Sequence, residues 1–331
     1  MSKPWVSKHR PKRLKDIAHQ EEAVQFLQRA LERGNLPHLL FYGPAGTGKT
    51  STIMAAAHQL FGPLKRKRVL ELNASDERGI KVVRNRIKEF AQTISTEKAK
   101  GFPCPPFKII VLDEADAMTI DAQAALRRVM EQFSSVTRFC IICNYVSKII
   151  DPITSRCAKF HFGSLPRPAM LDKLHSIAAV EGVEPSQAVM ASIIDVSKGD
   201  MRSAVQLLQT SCRLFSDIDS QLVYEIAGVV PMSRIHSVID SLNGDHSEIV
   251  QAVTDLCLDG YNGNSILQGI VQAVRDEYGL FANQPDVSIM LGDLLWTIGV
   301  ADYRISTGAD VYLQVLNCMI QLHTRIKREN E

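Results

Sequence analysis

Apolar residues recur at helical spacing through residues 16–31, at Ile17, Val24, Leu27 and Leu31, and Gly34 supplies a stop. The apolar run 39–42 predicts a strand, followed by a glycine-rich loop and a helix through Leu60. Residues 69–72 read as another strand, and 79–93 as a helix with Val82, Val83, Ile87 and Phe90 on its apolar side. A polar, proline-containing stretch at 95–106 predicts a loop. The β-branched run at 108–112 predicts a buried strand, 122–133 a helix and 138–143 a further strand. This alternation predicts a parallel sheet covered by helices.

The rhythm stops near Gly163, where Pro166 and Pro168 mark a boundary. Only helical patterns follow, at about 168–181, 186–197 and 201–214, then several between 233 and 327. Residues 224–231 read as a link. The expected domains are therefore 1–163, an α/β nucleotide-binding domain; 164–227, a small helical domain; and 228–331, an all-α domain. In the last, Leu313, Leu316, Ile320 and Leu322 suit apolar helix faces.

Composition narrows the class. Of 331 residues, 45 % are hydrophobic and 22 % charged, as in a globular chain with a core. No run of about 20 apolar residues predicts a membrane span. The basic N-terminus, broken by Pro4 and Pro11, lacks the apolar centre of a secretory signal, so an intracellular compartment is expected. The seven scattered cysteines then read as reduced thiols. Cys140 and Cys143 form a CxxC, but they fall in the strand pattern and no second pair completes a zinc set. Residues 1–100 carry 20 Lys+Arg against 9 Asp+Glu; the remainder carries 18 against 27. Such asymmetry suits a polyanion partner, and equally a solvated surface.

The sharpest motif is Gly43-Pro44-Ala45-Gly46-Thr47-Gly48-Lys49-Thr50, which fits GxxxxGK[ST] between a strand and a helix. Its glycines let backbone N–H groups approach phosphate oxygens, and the helix N-terminus favours anions. Lys49 is expected at the β- and γ-phosphates of ATP and Thr50 at Mg²⁺. Asp113 and Glu114 close the buried strand on the edge where α/β sheets bind ligands. Asp113 suits Mg²⁺, and Glu114 suits polarising a water. Arg156 and Arg202 are phosphate-capable, but spacing leaves open whether either touches ATP. Lys81, Arg84 and Lys88 share one helix face and can track a nucleic-acid backbone without reading bases; a solvated face has the same pattern. Lys65 to Arg68 form a denser basic run, read as a surface loop or localisation signal.

Several boxes together carry a resemblance: Pro4-Trp5-Val6, Arg10-Pro11, the P-loop, Leu72-Asn73-Ala74-Ser75-Asp76-Glu77-Arg78-Gly79, Leu112-Asp113-Glu114-Ala115-Asp116, Ala122-Gln123-Ala124-Ala125-Leu126-Arg127-Arg128 and Ser155-Arg156-Cys157. The chain resembles the small subunits of eukaryotic replication factor C, AAA+ ATPases of the clamp loader. The likeness spans the chain and is dense up to Arg202. It implies an AAA+ domain, a helical lid and an oligomeric collar, in a nuclear heteropentamer with four other replication factor C subunits. It implies ATP and Mg²⁺ as cofactors, and as partners the sliding clamp (proliferating cell nuclear antigen) and primer–template DNA. By the same resemblance Asn144 reads the γ-phosphate, Arg202 acts in cis from the lid, and Arg156 acts in trans on a neighbour's ATP. Val6, Arg10, Pro11 and Ile17 close over adenine and ribose. Ser7 and His9 stand where the family usually has an acid and a tyrosine, and Ala45 where a second proline is common. Rival readings are an AAA+ helicase or unfoldase, for which no aromatic pore loop is evident, and a nucleotide-binding structural subunit, against which Glu114 and Arg156 weigh.

Overall fold

The computed structural model describes residues 3–74, 80–93, 97–214, 218–278 and 285–330. The strands β1 (Leu39–Tyr42), β2 (Val69–Asn73), β3 (Lys108–Asp113), β4 (Thr137–Cys143) and β5 (Ala158–His161) form one sheet, in the order β2-β3-β4-β1-β5. Every pairing is parallel, with Leu39 opposite Cys140 and Ala158, and Leu72 opposite Leu112. Successive side chains leave opposite faces. Phe41, Ile109, Val111, Cys140 and Ile142 pack with the Glu21–Glu32 and Lys49–Phe61 helices on one side. Leu40, Ile110, Leu112, Phe139 and Ile141 pack with the Ile80–Gln92 and Ile120–Phe133 helices on the other. Both faces are covered, which is why β3 and β4 read as near-continuous apolar runs.

The chain divides into two compact units, Met1–Cys212 and Arg213–Glu331. The first holds the sheet and the Arg167–Glu181 and Gln187–Ser197 helices, and most of Met201–Leu214. The second is all-helical around a core that includes Ile235, Ile249, Val253, Ile270 and Val315.

Several local expectations change. The first long helix begins at Glu21, not Asp16; residues 14–16 form a 3₁₀ turn, and Ile17 is extended. Pro4 opens a short helix, Trp5–Lys8, that the basic N-terminus concealed. β5 is as short as β1 but interleaves Lys159 and His161 with its apolar residues, so it shows no apolar run. The supposed link 224–231 is partly helix, Ser220–Ala227, stopped by Gly228 in the left-handed region. Lys65–Arg68 is a helical turn rather than a loop, and Arg68 is 2 % exposed, bonded to the carbonyls of Glu97, Pro105 and Phe107. Of that run, Arg66 and Lys67 are exposed. Leu322 is buried in the C-terminal unit's own core and so does not face a partner; Leu316 is partly buried against that core, and Leu313 is exposed. Cys140 and Cys143 lie buried in β4, as the strand reading required.

Candidate active site

The P-loop leaves β1 at Tyr42 and ends where the Lys49–Phe61 helix starts. Gly46 and Gly48 adopt φ of 68° and 95°, left-handed values that cost an L side chain energy. Gly43 and Gly46 are also sterically required. A Cβ on Gly43 would lie 2.1 Å from the Phe162 carbonyl oxygen, and one on Gly46 would lie 1.6 Å from Asp200 Oδ1. Lys49 Nζ donates to the carbonyls of Gly43 and Pro44, each at 2.7 Å, and to Asn144 Oδ1 at 3.1 Å.

The sheet brings the other groups to this loop. β1, β3 and β4 are neighbours, so their C-terminal ends place Thr50, Asp113 and Asn144 together. Thr50 Oγ1 donates to Asp113 Oδ2 at 2.6 Å. Two oxygen donors at that spacing suit a hard cation such as Mg²⁺. Glu114 follows in the left-handed region, φ 54°, although it is not glycine. Such strain in a non-glycine residue persists only where surrounding structure holds it. Asn144 is set by Asp116, whose Oδ2 accepts from the N–H groups of Asn144 and Tyr145.

Lys49, Thr50, Asp113, Glu114, Asn144 and Arg202 line one cavity of about 440 Å³. Burial pulls the Lys49 ammonium below the usual lysine range; Asp113 pulls it back up, and Arg202 adds to the lowering. Two cations facing one cavity from different elements make a site for a polyanion. Arg202 stands in the first turn of the Met201–Leu214 helix, whose start is capped by Asp200: Oδ1 accepts from Arg202 N at 2.7 Å and from Ser203 N at 3.1 Å. Asp200 is the residue that Gly46 makes room for, so the cap and the P-loop touch.

Val6, Arg10, Pro11 and Ile17 line the same cavity, as do Ala45, Gly46, Thr47 and Gly48. The N-terminal turn is tied across it. Trp5 N donates to Gln209 Oε1 at 2.9 Å, and Trp5 is 6 % exposed. Glu181, ending the Arg167–Glu181 helix, pairs with Lys8 at 2.8 Å and with His9. His9 therefore has a partner of its own where the family pattern has tyrosine.

Arg156 is not a lining residue of that cavity. It follows the Asp151–Thr154 turn and pairs with Glu131 at 2.7 Å. Of the basic stripe, Lys88 lies half-buried on the Ile80–Gln92 helix, while the side chains of Lys81 and Arg84 fall outside the described residues, as do residues 75–79 of the Asn73-to-Gly79 box.

Two stretches of the chain match known families. Residues 39–165 match the model of the ATPase family associated with various cellular activities (AAA), and residues 230–321 match the replication factor C C-terminal domain. Replication factor C subunit 4 of Homo sapiens is 46 % identical over 95 % of this chain and 86 % of its own length. The chain belongs to the replication factor C family. Replication factor C subunit 4 of Arabidopsis thaliana is 44 % identical, covering 96 % of this chain and 93 % of that protein. The replication factor C small subunit of Archaeoglobus fulgidus is 40 % identical over 98 % of each. The solved structure of the Thermotoga maritima RuvB Holliday junction branch migration motor shares the fold: TM-score 0.52 and 18 % identity, over 71 % of this chain and 81 % of that one. As a replication factor C chain the protein is a P-loop ATPase and a clamp-loader component acting in DNA replication.

Sequence reasoning assigned no role to Asp116 and Gln123, although both stand in the family boxes, nor to Asp200, Glu181 and Glu131. Gln123 is buried and bridges three backbone groups, the carbonyls of Met118 and Lys148 and the N–H of Ile150. Asp200 had a legible signal, an acid just before a helix. The others act across separations that no spacing rule covers.

Proposed function

We propose that this replication factor C chain is one ATP- and Mg²⁺-binding subunit of a nuclear heteropentamer. Its ATP-bound state favours the assembly that opens the sliding clamp, proliferating cell nuclear antigen, and grips the backbone of primer–template DNA in replication and repair. Hydrolysis releases both, because the γ-phosphate is a ligand that binds one assembly state better. Residues 1–163 act as the nucleotide-binding domain, 164–227 as the lid and 228–331 as the collar. Lys81, Arg84 and Lys88 contact DNA phosphates.

Thr50 and Asp113 would hold Mg²⁺, Asp113 directly or through water, and the ion would neutralise charge that develops on the phosphates. Lys49 holds the β- and γ-phosphates with the P-loop N–H groups. Glu114 orients and polarises the attacking water, Asn144 reads the γ-phosphate, and Arg202 joins it from the lid. Val6, Arg10, Pro11 and Ile17 close over adenine and ribose. Arg156 acts in trans on the neighbouring subunit's ATP, which makes the isolated chain a poor ATPase.

One observation carries this reading: the other phosphate-directed groups converge on a single cavity while Arg156 stands outside it, bound to Glu131. The experiment is an Arg156→Ala subunit in the reconstituted complex. Its own ATP affinity stays unchanged, and hydrolysis in the neighbouring site slows by about 10³-fold, the scale of an arginine finger. Loss of affinity at its own site would refute the trans assignment.

A further inference from the structure

The Arg156 guanidinium is held from two sides. One terminal nitrogen donates to the Pro152 carbonyl at 2.7 Å, and the other pairs with Glu131 Oε1 at 2.7 Å. Glu131 also accepts from Arg127 Nε at 3.0 Å, one helical turn earlier on Ile120–Phe133. The Arg127 hydrogen bond first, then the charges of Arg127 and Arg156, keep the Glu131 carboxyl below the usual range, so it is ionised at neutral pH.

The same helix fixes the Arg156 segment at a second point. Gln123 Oε1 accepts from Ile150 N at 2.9 Å, just before the Asp151–Thr154 turn, and Ile153 of that turn is buried. Backbone and guanidinium are thus referenced to one rigid element. The Arg156 side chain is still 39 % exposed. A guanidinium has five N–H donors, and the two contacts described commit two of them. Two arginines on one carboxylate leave a net positive charge, so the pairing orients the finger without cancelling its pull on a phosphate.

We propose that Glu131, pinned by Arg127, is the positioning residue for Arg156: it fixes the guanidinium so that its free edge is presented to the triphosphate of the neighbouring subunit. The inference rests on the trans reading of Arg156. A freely rotating arginine would have to be ordered at each turnover, and misplacement of a charged group by about 1 Å costs up to about 10²-fold in rate.

The test uses the reconstituted complex with Glu131→Ala, the near-isosteric Glu131→Gln, Arg156→Ala and the double variant Glu131→Ala/Arg156→Ala. Two quantities are read: single-turnover hydrolysis at the neighbouring site, and affinity of the variant subunit for a fluorescent ATP analogue. Glu131→Ala is expected to slow the neighbour about tenfold and Glu131→Gln less, with affinity at its own site unchanged. The double variant is expected to be no slower than Arg156→Ala alone, because Glu131 has nothing left to position. A Glu131→Ala complex at wild-type rate overturns the proposal, as does a double variant slower than Arg156→Ala by the full tenfold. If Arg156→Ala slows the neighbour and Glu131→Ala does not, only the positioning role falls. If Arg156→Ala itself has no effect on the neighbour, the trans reading falls and takes this inference with it.

Discussion

Lys49 Nζ and Asn144 Oδ1 lie 3.1 Å apart, joining the first residue of the P-loop helix to the residue that follows β4. The bond spans 95 positions of sequence, and it exists because β1 and β4 are paired in register, Tyr42 opposite Cys143. Asn144 is in turn fixed by Asp116, from the segment after β3. Three strand ends therefore share one hydrogen-bonded chain beside the cavity.

Asn144→Ala is expected to separate binding from hydrolysis. Lys49 keeps two carbonyl partners without Asn144, so Asn144→Ala should bind ATP within about threefold of wild type while single-turnover hydrolysis in the complex falls about 10²-fold. Lys49→Ala should abolish ATP binding at this subunit, as titration with a fluorescent nucleotide would reveal. Unchanged affinity in Lys49→Ala would sink the P-loop assignment.

His38 gives a pH dependence. Burial, with Arg138 adding to it, pushes its pKa from 6.5 down to about 4. The neutral ring is the one used, since Nδ1 accepts from Phe139 N at 3.1 Å. As pH falls from about 6.5 to about 4, the unfolded chain takes up a proton that the folded ring refuses, and stability declines. Below about 4 both states are protonated, and the loss is complete. Allowing for partial solvent exposure of the ring, it amounts to about 1–2 kcal/mol. His38→Asn keeps an acceptor and removes the titration. Urea unfolding at pH 7, 5.5 and 4 should show wild type losing more stability than the variant over that interval; parallel slopes would discard the assignment.

Arg68 should matter as a buried anchor. Its guanidinium holds the carbonyls of Glu97 and Pro105 and lies 5.7 Å from the centre of the Phe61 ring. Arg68→Ala leaves a cavity and frees those carbonyls, a loss of about 3 kcal/mol in chemical denaturation, with faster proteolysis in the segment 97–107. Arg68→Lys should recover only part, because one ammonium cannot span carbonyls on both sides. Exposed Arg66→Ala is the comparison, expected within about 0.5 kcal/mol of wild type.

Much of the sheet was legible because its signals are local. β3 and β4 are runs of apolar residues buried on both faces, and the P-loop is a contiguous motif whose glycines answer to their own dihedral angles and near neighbours. β5 is hidden because Lys159 and His161 break its short stretch, where the equally short β1 is apolar throughout, and the Trp5–Lys8 turn because a basic, proline-flanked segment looks like a tail. The Lys65–Arg68 run misled for a related reason: charge density says nothing about which of four cations turns inward, and Arg68 does so only because three carbonyls await it.

The sequence by itself determined most of the succession of strands and helices, the phosphate-cradling loop and, through its boxes, membership in the replication factor C family. Each of these depends on residues close together in the chain. Tertiary structure alone decided which distant groups meet: Asn144 with Lys49, Glu181 with His9, Asp200 with Gly46, and Arg156 with Glu131 rather than with the cavity. Strand order and helix packing fix those pairings, because they bring together residues whose separation along the chain carries no periodic signal.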